Sequence, residues 1–296
     1  MHDFKISVLY NLSFPWKSKD KLSAQIMLLM HALEKGMSFT DSAREFGKDK
    51  AVSLARLIDK YLDKYKIDDT CVVAINVLHE YLKNINSTKD SKSRELINKV
   101  LAKHSEVVKD GFAGTKTVCE PPVFDKISIE QFFSTRSSVR NYSDVPVSDE
   151  EIKSALHIAS YTPSACNRQT SRVHVFRDRD KMKEIIDNQL GNQNWCDNAT
   201  ILFLVTVNIS YFGGVYERHQ GLIDGGLYSM NFVHGLHLNH VASCFKMFVR
   251  GVKIEREFRK ITRIPENEIP IVLILAGHYK TSPVTSPMSV RVPFDS

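Results

Sequence analysis

The spacing of apolar residues changes character once along this chain, across residues 111–127, and that break sets what the chain can fold into. Before it, apolar side chains recur every three or four positions, the period of a helix with one buried face. Leu22, Ile26, Leu29, Met30 and Leu33 make one stripe, and Leu54, Leu57, Ile58, Tyr61, Leu62 and Tyr65 a second. Thr70 reads as the cap of a third helix carrying Val73, Val77, Leu78, Tyr81, Leu82 and Ile85, and Ser91 as the start of a fourth with Leu96, Ile97, Val100 and Leu101. Residues 111–127 hold Gly111, Gly114, Pro121 and Pro122 without periodicity, as a linker does. After it, short β-branched and aromatic runs at 172–176, 200–207, 241–249 and 269–276 read as strands, with helices over 181–189, 223–239 and 254–261 between them. Ser128 with Gln131, and Ser148 with Glu151, have the spacing of capping boxes for two earlier helices. The expectation is an all-helical domain with its linker over residues 1–120, then a helix-covered sheet over 121–296.

Charge and cysteine usage narrow the function classes. Residues 1–120 hold 20 Lys and Arg against 16 Asp and Glu, and the remainder 20 against 18, so the net +6 forms no basic block of the kind that tracks nucleic acid. Cys71, Cys119, Cys166, Cys196 and Cys244 are odd in number and form no C-x-x-C pair, which argues against a disulfide framework or a zinc site. With no apolar run of about 18 residues and no leader pattern, the expected address is the cytoplasm.

Two clusters carry chemistry. In an extended segment residues i, i+2 and i+4 share a face, so Arg136, Ser138 and Arg140, with Ser137 between, present two guanidiniums and a hydroxyl to one anion. Pro163, Ser164, Ala165, Asn167 and Gln169 offer amide and hydroxyl groups to the polar edge of a heterocycle. Together they point to a phosphorylated, ring-bearing cofactor. The competing readings are a solvated turn for the first cluster and plain turn chemistry after Pro163 for the second.

These motifs, with Asp224-Gly225-Gly226 opening a helix that bears Asn231 and a strand ending Ala276-Gly277-His278-Tyr279, resemble the nitroreductase family of flavin mononucleotide (FMN) enzymes from Ile129 to Phe294. The resemblance implies an α+β fold with a mixed sheet covered by helices. It also implies FMN as cofactor, NAD(P)H as transient donor, a small electron-poor acceptor, and a homodimer with shared flavin sites. Arg136 and Ser138 would then bind the phosphate, Arg140 the ribityl chain and the N1/O2 edge, and Arg291 would be the C-terminal phosphate ligand. Ser289 stands where the family often has a further basic residue. The 163–169 loop would come from the other subunit, and Gly225 and Gly226 would set amides near flavin N5. Thr170-Ser171 replaces a common Pro-Trp pair, removing an aromatic wall. The stretches His31–Met37 and Arg44–Lys48 are similar to the helical prefix of nitroreductase-like proteins of bacterial polysaccharide gene sets.

Other residues have plainer readings. His234, His237 and His240 cannot all face one metal, because the first and third lie about 240° apart around a helix. Cys166 has only Arg168 nearby in sequence and reads as a packed thiol. Lys35 and Gly36 read as the C-terminal dipole partner and cap of the first helix, with substrate contact by His31 and Glu34 as the alternative. Gly225 and Gly226 also fit simple close packing, and Phe14, Trp16 and Trp195 stay unassigned. No catalytic triad is present, and the flavin would carry the chemistry by ping-pong hydride transfer. The alternatives are a flavin-dependent dehydrogenase or reductase of a biosynthetic, polysaccharide-related intermediate, and a flavin-binding scaffold without turnover.

Overall fold

Ser18 accepts a hydrogen bond from the Lys21 amide and starts α1 (Lys19–Met37). The computed structural model describes residues 18–39, 46–84, 91–189, 198–213, 215–249 and 251–291. Phe14, Trp16, Arg44, Glu45, Ile85, Trp195, Cys196 and Phe294 therefore lie outside the described residues. α1 packs with α2 (Lys48–Leu62), α3 (Asp69–Asn84) and α4 (Ser91–Lys103) around Leu22, Ile26, Leu54, Ile58, Ile75 and Leu78, all fully buried. The cap of α3 is Asp68 rather than Thr70: its carboxylate accepts from the Cys71 amide at 3.2 Å and from the Tyr61 hydroxyl. Burial is the largest influence on Asp68, yet the hydrogen bonds from Tyr61 and Cys71 hold its carboxyl below the usual range. Gly36 does not cap α1, which continues to Met37 and ends at Ser38.

The expected linker is only partly loose. Asn76, wholly buried, binds the Val107 carbonyl at 2.9 Å and the Lys109 amide at 2.6 Å, and the amides of Gly111 and Gly114 reach Glu80 and Glu34. From residue 115 to 125 the chain is exposed and has no regular element. α5 (Lys126–Thr135) is capped by Asp125, which accepts from the Ile127 and Ser128 amides, so the expected Ser128–Gln131 box is absent. Asp125 also takes the Ser128 hydroxyl that the box would have used.

The second half is α+β. β1 (Ser171–Phe176), β2 (Ile201–Asn208), β3 (Val241–Met247) and β4 (Glu268–His278) form a sheet in the order β1-β2-β4-β3, every neighbouring pair antiparallel. A parallel bridge from Ser138 to Ser243 at the β3 edge makes the sheet mixed. β2 is buried on both faces. Ile201 and Phe203 meet Phe232 and Leu236 of α8 (Gln220–Leu238) and Ile152 of α6 (Asp149–Ser160). Leu202 and Leu204 meet Met182 of α7 (Arg179–Asp187) and Phe258 of α9 (Val252–Thr262). The Ser148–Glu151 capping box forms as read.

The helical unit touches the sheet unit through α1. Asp20 accepts from Asn208 and Asn267 at 3.0 and 2.8 Å, and Tyr211 packs against the helical core.

Candidate functional site

α5 stops because Arg136 leaves the helical region (φ −64, ψ 111) and carries the chain out along β3. There the Val139 amide donates to the Ser243 carbonyl at 3.1 Å while its side chain enters the core, 5% exposed. Ser138 and Arg140 flank this anchor, and both stay half-buried, as does Arg136. The Cys244 thiol records how closely the cluster gathers. Burial pushes it up, and Arg140, Lys246, the Ser138 hydroxyl and Arg136 all pull the other way. Three cations and a hydroxyl thus all act on one thiol of β3. Burial, and then Arg136, also hold His234 below the ordinary histidine value. The C-terminal tail returns to the same place, where the Ser286 hydroxyl donates to the Ser138 carbonyl at 3.1 Å. Arg291 is exposed and folds back on its own tail, donating to the Ser289 carbonyl at 3.0 Å.

The second cluster is a tightly wound loop. Cys166, Asn167 and Gln169 all have left-handed φ (51°, 52° and 49°), which non-glycine residues rarely adopt without outside support. Asp224 of α8, 2% exposed, supplies support by accepting from the Ala165 amide at 3.1 Å, while Gln220 holds its other oxygen. Ser164 takes the Gln169 amide at 2.9 Å. Arg168 closes the loop from beneath: it is 3% exposed, pairs bidentately with Glu217, bonds the carbonyls of Ala165 and Tyr211, and lies over the Phe212 ring. Pro163, Ser164 and Gln169 then line a cavity of about 190 Å³ with Asp224, Arg172 and Tyr228.

These clusters do not meet within one chain. The arginine segment lies along β3 and the loop runs into β1, the opposite edge of the four-stranded sheet. The arginine segment lies outside β3, so four strand spacings of about 4.8 Å, roughly 19 Å, separate it from β1.

The model of the nitroreductase family matches residues 133–278. An Archaeoglobus fulgidus protein provisionally named NADH dehydrogenase/NAD(P)H nitroreductase is 45% identical over 146 residues, 49% of this chain and 82% of that protein. The chain belongs to the nitroreductase family. A Bacillus subtilis FMN reductase [NAD(P)H] shares 31% over 67 residues, 23% of this chain and 26% of that protein. Among solved structures, a Parabacteroides distasonis protein with the same provisional name as the Archaeoglobus one is 16% identical with a TM-score of 0.49, covering 58% of this chain and 99% of that one. The family match begins inside α5, so the helical prefix lies outside it.

Within the nitroreductase unit several expected residues take definite places. Gly225 and Gly226 sit in the second turn of α8, where backbone amides belong to the helix ladder. A β-carbon on Gly225 would stand 2.7 Å from Ile271 and 2.9 Å from Val207, so its lack of a side chain seats α8 on the sheet. Gly226 faces open space. Thr170 is buried with its carbonyl taken by the Asn208 amide at 3.0 Å, and Ser171 lines the small cavity. His234 and His237 pack on Phe132 and Phe133, and the His237 ring lies 3.2 Å from the Thr135 hydroxyl. His240 lies beyond the helix end with φ 57°. Lys246, 3% exposed, is the functional candidate that the sequence reading passed over. Its signal was a lone lysine in an otherwise apolar strand run.

Proposed function

We propose that this protein is an FMN-dependent oxidoreductase that uses NAD(P)H to reduce an electron-poor acceptor such as a nitro compound or a quinone, working as a homodimer. The observation that carries this reading is the division of the two clusters between opposite edges of one sheet, each incomplete alone. A second copy joins them when the 163–169 loop of one subunit faces the arginine segment of the other. The apolar side chains that α8 leaves half-exposed, Leu222, Ile223 and Leu227, supply a surface for that association.

The residues fit a flavin nucleotide. Arg136 and Ser138 hold the phosphate monoester, with Lys246 nearby to offset the charge that Ser289 does not provide. Arg140 sets a fixed positive charge at the N1/O2 edge, and Arg291 closes the phosphate end from the tail. Ser164, Asn167 and Gln169 orient the ring's polar edge, and Gly226 leaves α8 open to a flat ligand. When bound, FMN supplies the hydride chemistry, taken from NAD(P)H and passed to the acceptor in a ping-pong cycle.

The test is an absorbance spectrum of the purified protein with mass identification of what denaturation releases. A yellow chromophore that NAD(P)H bleaches, and that a quinone restores, is expected; a colourless protein indifferent to added FMN would falsify the reading. A second reading rests on the resemblance of His31–Met37 and Arg44–Lys48 alone, a dedicated dehydrogenase or reductase of a biosynthetic, polysaccharide-related intermediate. That enzyme would turn over quinones poorly, and a scaffold would hold FMN without consuming NAD(P)H. We place the protein in the cytoplasm. Cys71, Cys119, Cys166 and Cys244 are free thiols, and no helix among the described residues is long and apolar enough to cross a membrane.

A further inference from the structure

The motif shared between the end of α1 and the start of α2 takes no part in the flavin site, yet its described residues converge. His31, Ala32, Lys35 and Gly36 from the first stretch, and Phe46 and Gly47 from the second, line one open groove of about 1100 Å³. That volume is slightly above the range of about 300–1,000 Å³ usual for small-ligand sites. Its apolar body comes from Leu28, Leu29, Ala32, Phe39 and Phe46.

The aromatic wall is fixed by the fold. A β-carbon at Gly36 would stand 2.4 Å from the Phe46 ring, and Gly47 has φ +68° with Leu33 2.8 Å from where its β-carbon would be. The Tyr81 hydroxyl donates to the Phe46 carbonyl at 2.6 Å, and the two rings meet edge to face at 5.6 Å. The missing side chain at Gly36 leaves the space that the ring occupies, and the left-handed turn at Gly47 favours glycine. Such a wall exists before any ligand arrives.

The charged side chains among the described lining residues have one sign. Among the described lining residues His31, Lys35 and Lys50 are the only titratable nitrogen bases, and none is a carboxylate. Glu34, the nearest acid in sequence on α1, instead takes the Gly114 amide at 3.4 Å. Two lysines and an imidazole over an apolar bed suit a molecule with an anionic head and an apolar body. We propose that this groove binds a small organic anion, its carboxylate, sulfonate or phosphate held by Lys35 and Lys50 and its apolar part laid against Phe39 and Phe46. Cys166 reaches the same groove from the 163–169 loop. The occupant therefore bears on a loop that, in the flavin reading, also carries Ser164 and Gln169; the binding site itself does not rest on that reading.

The full chain is titrated with anilinonaphthalene sulfonate and, in parallel, with uncharged phenylnaphthylamine, with and without FMN. The expected result is saturable one-to-one sulfonate binding that protects Cys166 from maleimide alkylation, read by peptide mass. Lys35→Gln with Lys50→Gln weakens the sulfonate about tenfold and leaves the neutral probe unchanged, as loss of two attractive charges predicts. In the unaltered protein, added salt weakens only the sulfonate, so the inference survives a variant that folds poorly. Equal salt response for both probes, or alkylation of Cys166 at an undiminished rate with sulfonate bound, overturns it. Failure of the flavin reading appears separately, as a colourless protein whose probe titration is unchanged.

Discussion

Arg168 directs every nitrogen of its guanidinium inward: Nε to the Ala165 carbonyl, and the two terminal nitrogens to the Glu217 carboxylate and the Tyr211 carbonyl. The Arg168 pairing is the first cause that holds the Glu217 carboxyl below its usual range. Truncation to Ala would strand a partly buried carboxylate and release a loop that contains three left-handed residues. Arg168→Ala should lower stability by about 3 kcal/mol in urea denaturation and weaken FMN binding, and Arg168→Lys should recover only part, since a lysine cannot make the fork. Unchanged stability in both variants would remove Arg168 from this role. The sequence could not disclose it: a charge beside Cys166 reads as a local partner, and only folding brings Glu217, 49 positions on, under the loop. The period-two spacing of Arg136, Ser138 and Arg140 is local and so stands out in the sequence, whereas Lys246 is the exception in its strand.

At the scale of elements, α6 shows what local chemistry makes readable. Its capping box uses one oxygen of Glu151 for the Ser148 amide at 2.7 Å, and the other oxygen meets His278 at the end of β4 at 2.8 Å. Burial opposes the charged form of His278, but the bond to Glu151 prevails and its pKa is raised. The pair's contribution is therefore complete below the unfolded histidine value of about 6.5 and is lost as pH rises through the higher folded value. Thermal melts should show stability declining as pH rises above the unfolded histidine value of about 6.5, and His278→Gln should flatten that slope. At the other end of β4 the sign reverses. Burial pushes the Glu268 carboxyl up, yet bonds from His174 (2.7 Å) and Thr206 win and hold it low. That contribution is present above the unfolded carboxylate value of about 4.3 and disappears as pH falls through the lower folded one, so Glu268→Gln should blunt acid unfolding. This trio also explains why β4 begins at Glu268, one residue before the apolar run read from sequence. Caps depend on competition among neighbours, which is why Asp125 and Asp68 displaced Ser128 and Thr70.

For the whole molecule, the change of period near residue 111 did mark the passage from helices to sheet, and the layered second half followed from its strand and helix signals. How copies assemble was not legible, because α8 is apolar nearly all round and one sequence cannot say which of its faces meets solvent, sheet or another chain. The structure separates those faces: Phe232, Val233 and Leu236 enter the core, while Leu222, Ile223 and Leu227 remain about half-exposed. In the proposed dimer a shared flavin site would make association and cofactor binding one equilibrium, since each copy would bring the edge that the other lacks. Leu227→Glu puts a carboxylate into that surface without touching the core, so circular dichroism should be unchanged while light scattering reports a monomer. The same variant should bind FMN at least about tenfold more weakly, the cost of leaving a ligand with half its contacts. A monomer that keeps full FMN affinity would place both clusters of contacts within one chain and refute the shared site, whereas a dimer that persists would move the interface off α8.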